Sequence, residues 1–285
     1  MSLHLADVSS EYEKNKHLKK EEVKKFNDWV NQQPHLPKIN ELQAIFFLHA
    51  CYYNEDMAKK TIDNFFTIKS RHPSLFKMRN PYKSPVKESL DVALLTPLPK
   101  KTPEGYTIMF IKIIDVTPSS LNTEAQLKMF DMTCMLHLHQ YGTSDGYVVV
   151  FDMEGTSFGH LFHISPLALK KFLHYVQEGI PARLKRLHYV NIVPFMDKVL
   201  ALIKPFVKKE LYDTIYLHNT IDDLTKYVPL ECLPKDYGGS AETVSDLQEK
   251  IKKKVLENVD FFEWEDKQNV DESQRPKIEK YWFKW

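Results

Sequence analysis

Two runs of this chain, TIMFIKIIDV (107–116) and YVVVFDM (147–153), are nearly unbroken sequences of β-branched and aromatic residues. A strand with one wet face alternates apolar and polar side chains. Continuous runs instead suit strands buried on both faces, as in parallel sheets covered by helices. The intervening segment, Thr123 to Tyr141, has helical spacing and a cap at Asn122 or Thr123. Ser165-Pro166 then supplies an N-cap and an N1 proline for a helix to Gln177. LHYVNIV (187–193) and TIYLHN (214–219) read as two further strands. Strand, helix, strand, helix in this order predicts an α/β sheet with helical crossovers.

The sheet region has a helical preface. Val23, Phe26, Trp29 and Val30 recur at helical spacing between Lys20 and Asn31, and Pro34 and Pro37 then break the chain. A second helix reads from Asn40, with Leu42, Ile45, Phe46 and Ala50 on one face. A third starts after Asn54, a good N-cap, and runs through Met57, Ile62 and Phe65 to Ile68. Residues 1–19 form a polar tail expected to fray, and 20–80 a three-helix bundle. Residues 81–105, with Pro81, Pro85, Pro97, Pro99 and Pro103, are expected to connect, holding at most one helical turn around Lys87 to Val92. The sheet domain is expected over 106–240. Residues 241–285 hold a last helix from about Thr243 to Asn258 and an acidic, then aromatic tail ending in KYWFKW. There is no internal repeat.

Charge and cysteine usage narrow the partners. With 39 Lys and Arg against 38 Asp and Glu, the chain as a whole is no polyanion binder, and no nucleic-acid partner is expected. Cys51, Cys134 and Cys232 lie far apart among apolar residues, as buried free thiols of a reducing compartment do. The start, MSLHLADVSSEYEKNK, has no apolar signal core. No run of about 18 apolar residues could span a bilayer. Ser2 stands where myristoylation needs glycine, and no prenylation box ends the chain. A cytoplasmic protein is expected.

Catalytic and metal motifs are thin. GTSFG (155–159) fits G-x-S-x-G after a strand, but a nucleophile elbow needs a helix directly behind the serine. The strongest helix start lies well beyond Ser157, at Ser165-Pro166. Asp152, Glu154 and His160, with His163 nearby, could suggest a metal site, yet a solvated or hydrogen-bonded strand end explains them as well. His137 and His139 sit two apart on a helix and cannot chelate together. Neither a phosphate-binding P-loop nor GxGxxG occurs, so no catalytic residue, metal or cofactor is expected.

The segment from Pro194 to Val207 is more telling. Phe195, Val199, Leu202 and Phe206 form one apolar stripe; Met196, Leu200, Ile203 and Val207 form a second, about 100° around the helix. Asp197, Ala201, Lys204 and Lys208 make the single polar side. Such a helix is either sunk between layers or covers an apolar cavity. Pro205 should bias Lys204 out of the α region and hinge the segment. The helix 123–141 is likewise apolar nearly all round, and Phe158 and Phe162 follow the second strand. Met and Phe on several elements are core, or the lining of a pocket for a long apolar ligand.

FDMEG followed by FGH, then SP, PARLKRLHYVN, IKPF and LPKDYGG (233–239) resembles the CRAL-TRIO lipid-transfer family, in particular its tocopherol- and retinaldehyde-binding members. The likeness runs in order from about residue 20 to 240. It implies a helical N-terminal domain and a lipid-binding domain with a mixed β-sheet and flanking helices. A gate helix, about Val193 to Lys209, would cover an apolar cavity. Met129, Thr133, Phe158, Phe162, Phe172, Tyr175, Ile180, Phe195, Val199 and Leu202 would line cavity or gate. Arg183 and Lys185 match phosphoinositide-contacting residues of the family. With Arg186, Lys204 and Lys208 they would form a membrane-docking patch.

Departures from the family pattern matter too. Members that carry phosphatidylinositol have a Glu at the position of Ala182 and a Lys at that of Thr214, so a non-phospholipid ligand is implied. Two further basic positions of the docking surface are Glu210 and Thr214 here, and an arginine pair in the N-terminal domain is His49 and Cys51. The resemblance implies a monomer that binds an isoprenoid-type lipid, such as a tocopherol, retinoid or carotenoid. It would transfer this between membranes through transient peripheral contact with anionic surfaces, phosphoinositides among them. The alternatives are phosphatidylinositol transfer, or a protein- or phosphoinositide-interaction module that transfers nothing.

Overall fold

A computed structural model describes residues 3–276. Helices α1 (Val8–Lys14), α2 (Lys20–Gln32), α3 (Glu41–Ala50) and α4 (Glu55–Arg71) come first. The caps read from sequence form. Asn40 Oδ1 accepts the Gln43 N–H at 2.9 Å while Gln43 Oε1 accepts the Asn40 N–H at 3.2 Å, a reciprocal capping box. Asn54 Oδ1 accepts the Met57 N–H at 3.0 Å.

The polar tail is not frayed over α1. Glu11 is 1% exposed and accepts the backbone N–H (3.1 Å) and hydroxyl (2.6 Å) of Thr143, while Lys14 pairs with it at 2.6 Å. A buried carboxylate docks this helix together with Val8 and Tyr12, which pack on the core; two apolar residues are too short a pattern for periodicity to reveal.

Short helices α5 (Pro73–Phe76) and α6 (Val86–Ser89) lead into a five-stranded sheet. Its strands are β1 (Ala93–Pro97), β2 (Thr107–Ile113), β3 (Tyr147–Asp152), β4 (Leu184–Val190) and β5 (Ile215–His218), in that spatial order. Strand β1 is antiparallel to β2 and the remaining pairs are parallel. The region expected to be a proline-rich connection therefore contains the edge strand. Pro97 ends β1, and an edge strand tolerates a residue without an N–H.

The crossovers are α7 (Thr123–Tyr141) and α8 (Pro166–Glu178). Between β4 and β5 the chain forms α9 (Met196–Ile203), a 3₁₀ turn Lys204–Phe206 and α10 (Lys209–Tyr212). Lys204 stays in the right-handed helical region (φ −50°, ψ −41°), and the chain turns extended only at Val207. Pro205 thus converts α-helix to 3₁₀ instead of expelling its neighbour. Helices α11 (Ile221–Leu224), α12 (Val244–Glu257) and α13 (Val259–Asp266) follow. The acidic and aromatic stretch after Asn258 is helical, contrary to expectation, with Phe261 and Phe262 buried. KYWFKW lies outside the described residues. Among the described residues no helix is long and apolar enough to cross a membrane, and Cys51, Cys134 and Cys232 are buried free thiols.

In the LPKDYGG motif Gly238 has φ +83°, and a Cβ on Gly239 would fall 2.0 Å from the Leu233 carbonyl oxygen. Only glycine fits either place. The turn carries Tyr237, whose ring packs on Phe110 at 5.6 Å, helping to close the sheet face that bears Ile108, Val148 and Val150.

A buried ion network joins all three parts of the chain. Asp131 of α7, 0% exposed, accepts Lys69 of α4 at 2.8 Å and the Tyr175 hydroxyl of α8 at 2.7 Å. Arg79 reaches Glu265 at 2.8 Å and Asp266 at 2.7 Å on α13, and lies 3.5 Å from Asp131. Burial works against ionising Glu265, but Arg79 and then Lys69 outweigh it and hold the carboxyl down at about 2.

Removing one charge from such a set strands the others. Asp131→Asn should therefore lower the unfolding free energy by about 3–5 kcal/mol, read as a drop in urea midpoint. Asp28→Asn, at the exposed Lys24–Asp28 pair, should shift it by less than about 0.5 kcal/mol. Because the folded carboxyl of Glu265 titrates below the ordinary 4.5, its contribution is complete above that pH. It fades as pH falls toward 2.

Candidate functional site: an apolar cavity

The other face of the sheet is not covered by close packing. A cavity of about 350 Å³ lies over Met109, Ile111, Val149, Phe151 and Leu187, which alternate along β2, β3 and β4. Helix α7 supplies Leu127, Phe130, Cys134 and Leu138, and α8 supplies Leu169, Phe172, Leu173 and Val176, an i, i+3, i+4, i+7 stripe. Val199, Leu202 and Ile203 of α9 close it, with Val207 and Leu211 beyond the 3₁₀ turn.

Phe172, Ile180, Val199 and Leu202, expected from sequence, are on this wall. Met129, Thr133 and Tyr175 are not. Met129 and Thr133 are core residues at 4% and 1% exposure, one position before the cavity-facing Phe130 and Cys134. Helix α7 is apolar nearly all round, so its pattern cannot say which side faces the void. Tyr175 points the other way, to Asp131.

Phe158 and Phe162 are a second correction. They are 50% and 79% exposed, carried outward by a 3₁₀ segment, Phe158–His163. Phe158 sits edge-on to Phe162 at 5.6 Å and to Phe195 at 5.4 Å. The three rings form a rim beside the start of α9.

Few polar groups touch the cavity. Asp152 does, with its oxygens occupied: Lys112 donates at 2.6 Å, Asn191 at 2.9 Å, the Glu154 N–H at 3.0 Å, and Tyr237 as well. Burial alone would push this carboxyl up; the bonds from Lys112 and Tyr237 outweigh it and hold it below its ordinary value. Lys112 also takes Glu154, at 2.6 Å, so both carboxylates of the sequence motif serve one lysine. Among the described residues no group of three ligating side chains could hold a metal ion. Ser157 Oγ lies 3.0 Å from His160 Nδ1. That nitrogen already accepts the backbone N–H of Ser157 at 3.0 Å, so the contact caps a helix.

The basic residues separate. Arg183 donates through Nε at 2.8 Å, and through Nη2, to the His49 carbonyl, and stacks over Tyr52 at 4.0 Å. Lys185 donates to the Tyr52 hydroxyl at 2.8 Å. Burial first, and Arg183 next, push His49 down to about 3. Arg186 lies on the sheet face away from the cavity, 3.2 Å from Glu104 and over Tyr227. Lys204 and Lys208 are exposed on the closing segment, Lys208 paired with Glu178. Gln177 ties that segment to α8, donating to the Phe206 carbonyl at 2.9 Å and accepting the Lys208 N–H at 2.7 Å.

Two family profiles match the chain. The profile of the CRAL/TRIO domain matches residues 93–239, and that of a Pinta-like UBA domain residues 15–86. Alpha-tocopherol transfer protein-like of Mus musculus and of Homo sapiens are each 28% identical over 224 residues, 77% of this chain and 65% of theirs. The chain thus matches just under two thirds of the length of these relatives. Clavesin-1 of Xenopus laevis is 21% identical over 225 residues, 77% of this chain and 68% of its own. The crystal structure of Sfh5 superposes with a TM-score of 0.52 at 15% identity, covering 98% of this chain and 97% of that one, a likeness of fold.

A larger side chain in a filled core usually costs about 1–3 kcal/mol. Val176→Phe adds bulk toward open space, so thermal stability should change by less than about 0.5 kcal/mol. Uptake of the fluorophore N-phenyl-1-naphthylamine should weaken roughly tenfold, equivalent to ~1.4 kcal/mol. Titration of probe fluorescence alongside a melting curve checks both.

Proposed function

The chain belongs to the CRAL/TRIO domain family, and from that premise we propose that it binds one hydrophobic small molecule in the cavity and carries it between membranes. The observation that carries the reading is the cavity itself: an apolar void bounded by sheet, α7 and α8 and closed by α9. Burying an apolar ligand there is worth about 25 cal/mol per Å² before ordering costs. Ala182 and Thr214, which replace the acidic and basic residues of phosphatidylinositol carriers, favour a non-phospholipid of the isoprenoid class. The names of the tocopherol-type relatives point the same way. No bond is made or broken.

Release needs α9 to move. This helix buries Met196 and Ile203, while Asp197, Lys198 and Ala201 face solvent, and its far end is attached through the Gln177 bonds and the 3₁₀ turn at Pro205. At a bilayer, Phe158 and Phe162 would enter the interface, and α9 would exchange protein contacts for lipid. Lys198, Lys204, Lys208 and Lys209 lie on the closing segment. Lys198, Lys208 and Lys209 each pair with a carboxylate while their ammonium groups stay exposed, contacts of little strength, so anionic head groups can recruit these lysines at roughly 1 kcal/mol per charge. Arg183 and Lys185 are committed to the N-terminal bundle, so docking falls to the closing segment and the aromatic rim.

Organic extraction and mass spectrometry of the purified chain should yield a stoichiometric apolar lipid, or the chain should take one up from a panel of tocopherol, retinol, carotenoid and sterol. Failure with every candidate removes the reading. Phe158→Ser with Phe162→Ser should reduce partitioning onto anionic vesicles about tenfold, ~1.4 kcal/mol, without lowering the melting temperature. Arg183→Ala should do the reverse. It loses a charged hydrogen bond, so stability should fall by about 1.5–3 kcal/mol with vesicle binding little changed in sedimentation assays.

A further inference from the structure

We infer that Tyr189 holds the polar end of a neutral ligand in the cavity, its hydroxyl donating to a carbonyl, ether or hydroxyl oxygen beneath α9. The inference rests on the cavity being the binding site. Tyr189 follows Leu187 by two positions on β4, and both line the cavity, as alternation along a strand requires. Its ring stacks on that of Phe151 at 5.0 Å and 14°. It packs with Met153 and Met196 in a small cluster joined by Val199 of α9 and Ile215 of β5. The side chain therefore stands between the sheet and the closing helix.

Tyr189 is 7% exposed, and a tyrosine so deep ordinarily finds a partner for its hydroxyl. Tyr175 and Tyr237 do, donating to the carboxylates of Asp131 and Asp152. Tyr189 does not. Burial alone pushes its phenol up, and among the described residues neither a charge nor a hydrogen-bond partner acts on it. The Tyr147 hydroxyl, His160 Nε2 and Gln126 Oε1, of the same wall, are enclosed by neighbouring atoms. The oxygens of Asp152 are filled by Lys112, Asn191, Tyr237 and the Glu154 N–H. The Tyr189 hydroxyl is neither enclosed nor engaged, and the open space at this ring is the cavity. Thr156, half-buried on the loop after β3, carries the other free hydroxyl of the wall.

Charge on the wall selects a neutral ligand. Among the described residues no lysine or arginine lines the cavity, while the carboxylate of Asp152 does. A carboxylate or phosphate would be buried there without a counter-charge. A phenol hydroxyl donates as well as accepts, so a carbonyl, ether or hydroxyl oxygen satisfies it, whereas a hydrocarbon leaves it unpaired. Because Tyr189 lies under α9, the ligand oxygen comes to rest on the door side. The hydrocarbon remainder then runs between Phe130 of α7 and Phe172 of α8.

The test uses geranylacetone, an isoprenoid ketone, and farnesene, a hydrocarbon of similar length, as competitors for N-phenyl-1-naphthylamine bound to the full chain. Tyr189→Phe removes the hydroxyl and keeps the ring on Phe151. Geranylacetone should then bind about fivefold more weakly, the worth of one hydrogen bond, while farnesene moves by less than about twofold. Thr156→Val should change neither. An unpaired hydroxyl adds nothing to the fold, so the melting temperature of the ligand-free Tyr189→Phe variant should not fall. In infrared spectra the carbonyl stretch of ¹³C-labelled geranylacetone should drop in frequency on binding, relative to its position in alkane, and the drop should vanish in Tyr189→Phe. An equal loss for both competitors, an unchanged ketone affinity, or a loss confined to Thr156→Val overturns the assignment and leaves the cavity function standing. If neither compound displaces the probe, the cavity function itself falls. Should Tyr189→Phe fail to fold, the infrared experiment on the unaltered chain decides, an alkane-like carbonyl stretch overturning the assignment.

Discussion

A protein that keeps a void inside it must hold the walls apart by something other than contact across the void. Here that restraint is the carboxylate of Asp131. Lys69 and the Tyr175 hydroxyl converge on it from α4 and α8, with Arg79 linking it to Glu265 and Asp266. Asp131 on α7 is clamped in this way, and α8 is clamped through Tyr175, which lies off its cavity stripe. The two helices can then face the sheet with Phe130, Phe172 and Val176 across empty space. A void forfeits dispersion contacts, and collapse would recover them. Resisting collapse is the service the ion network renders, at a desolvation cost that mutual pairing offsets.

Much of this fold is legible in the sequence. Continuous β-branched runs announced the parallel strands, and Asn40, Asn54, Asn122 and Ser165 marked helix starts that the side chains do cap. What escaped has a common physical reason. Helix α1 docks through a buried Glu11, β1 is a short edge strand ending in proline, and α13 carries Glu265 and Asp266 for ion pairing. In each the apolar pattern is too short to read: Val8 with Tyr12, Leu94 with Leu95, and the adjacent Phe261 and Phe262.

The site was legible in kind and less so in detail. Period 3.6 placed Phe172 on the wall, but the same helix carries Tyr175 on its other side, and only the partner Asp131 tells them apart. The basic run at 183–186 is divided by structure that period 2 alone does not give. Alternation along a strand would part Arg186 from Lys185, but the register shifts between Leu184 and Arg186, and both cations still lie about the Tyr106 ring.

The Asp131 network has a further consequence, for how such a chain can be recombined. The bundle and the sheet domain read as separable pieces, yet Lys69 belongs to one, Asp131 to the other, and Glu265 to a helix after both. The contact between Arg183 and the His49 carbonyl crosses the same boundary. A chimera that grafts a relative's sheet domain onto these N-terminal helices would inherit buried cations without their anions unless the C-terminal helix and the Asp131 position came with it. The unit of inheritance is therefore the charge balance, and its borders run through the chain in three places at once.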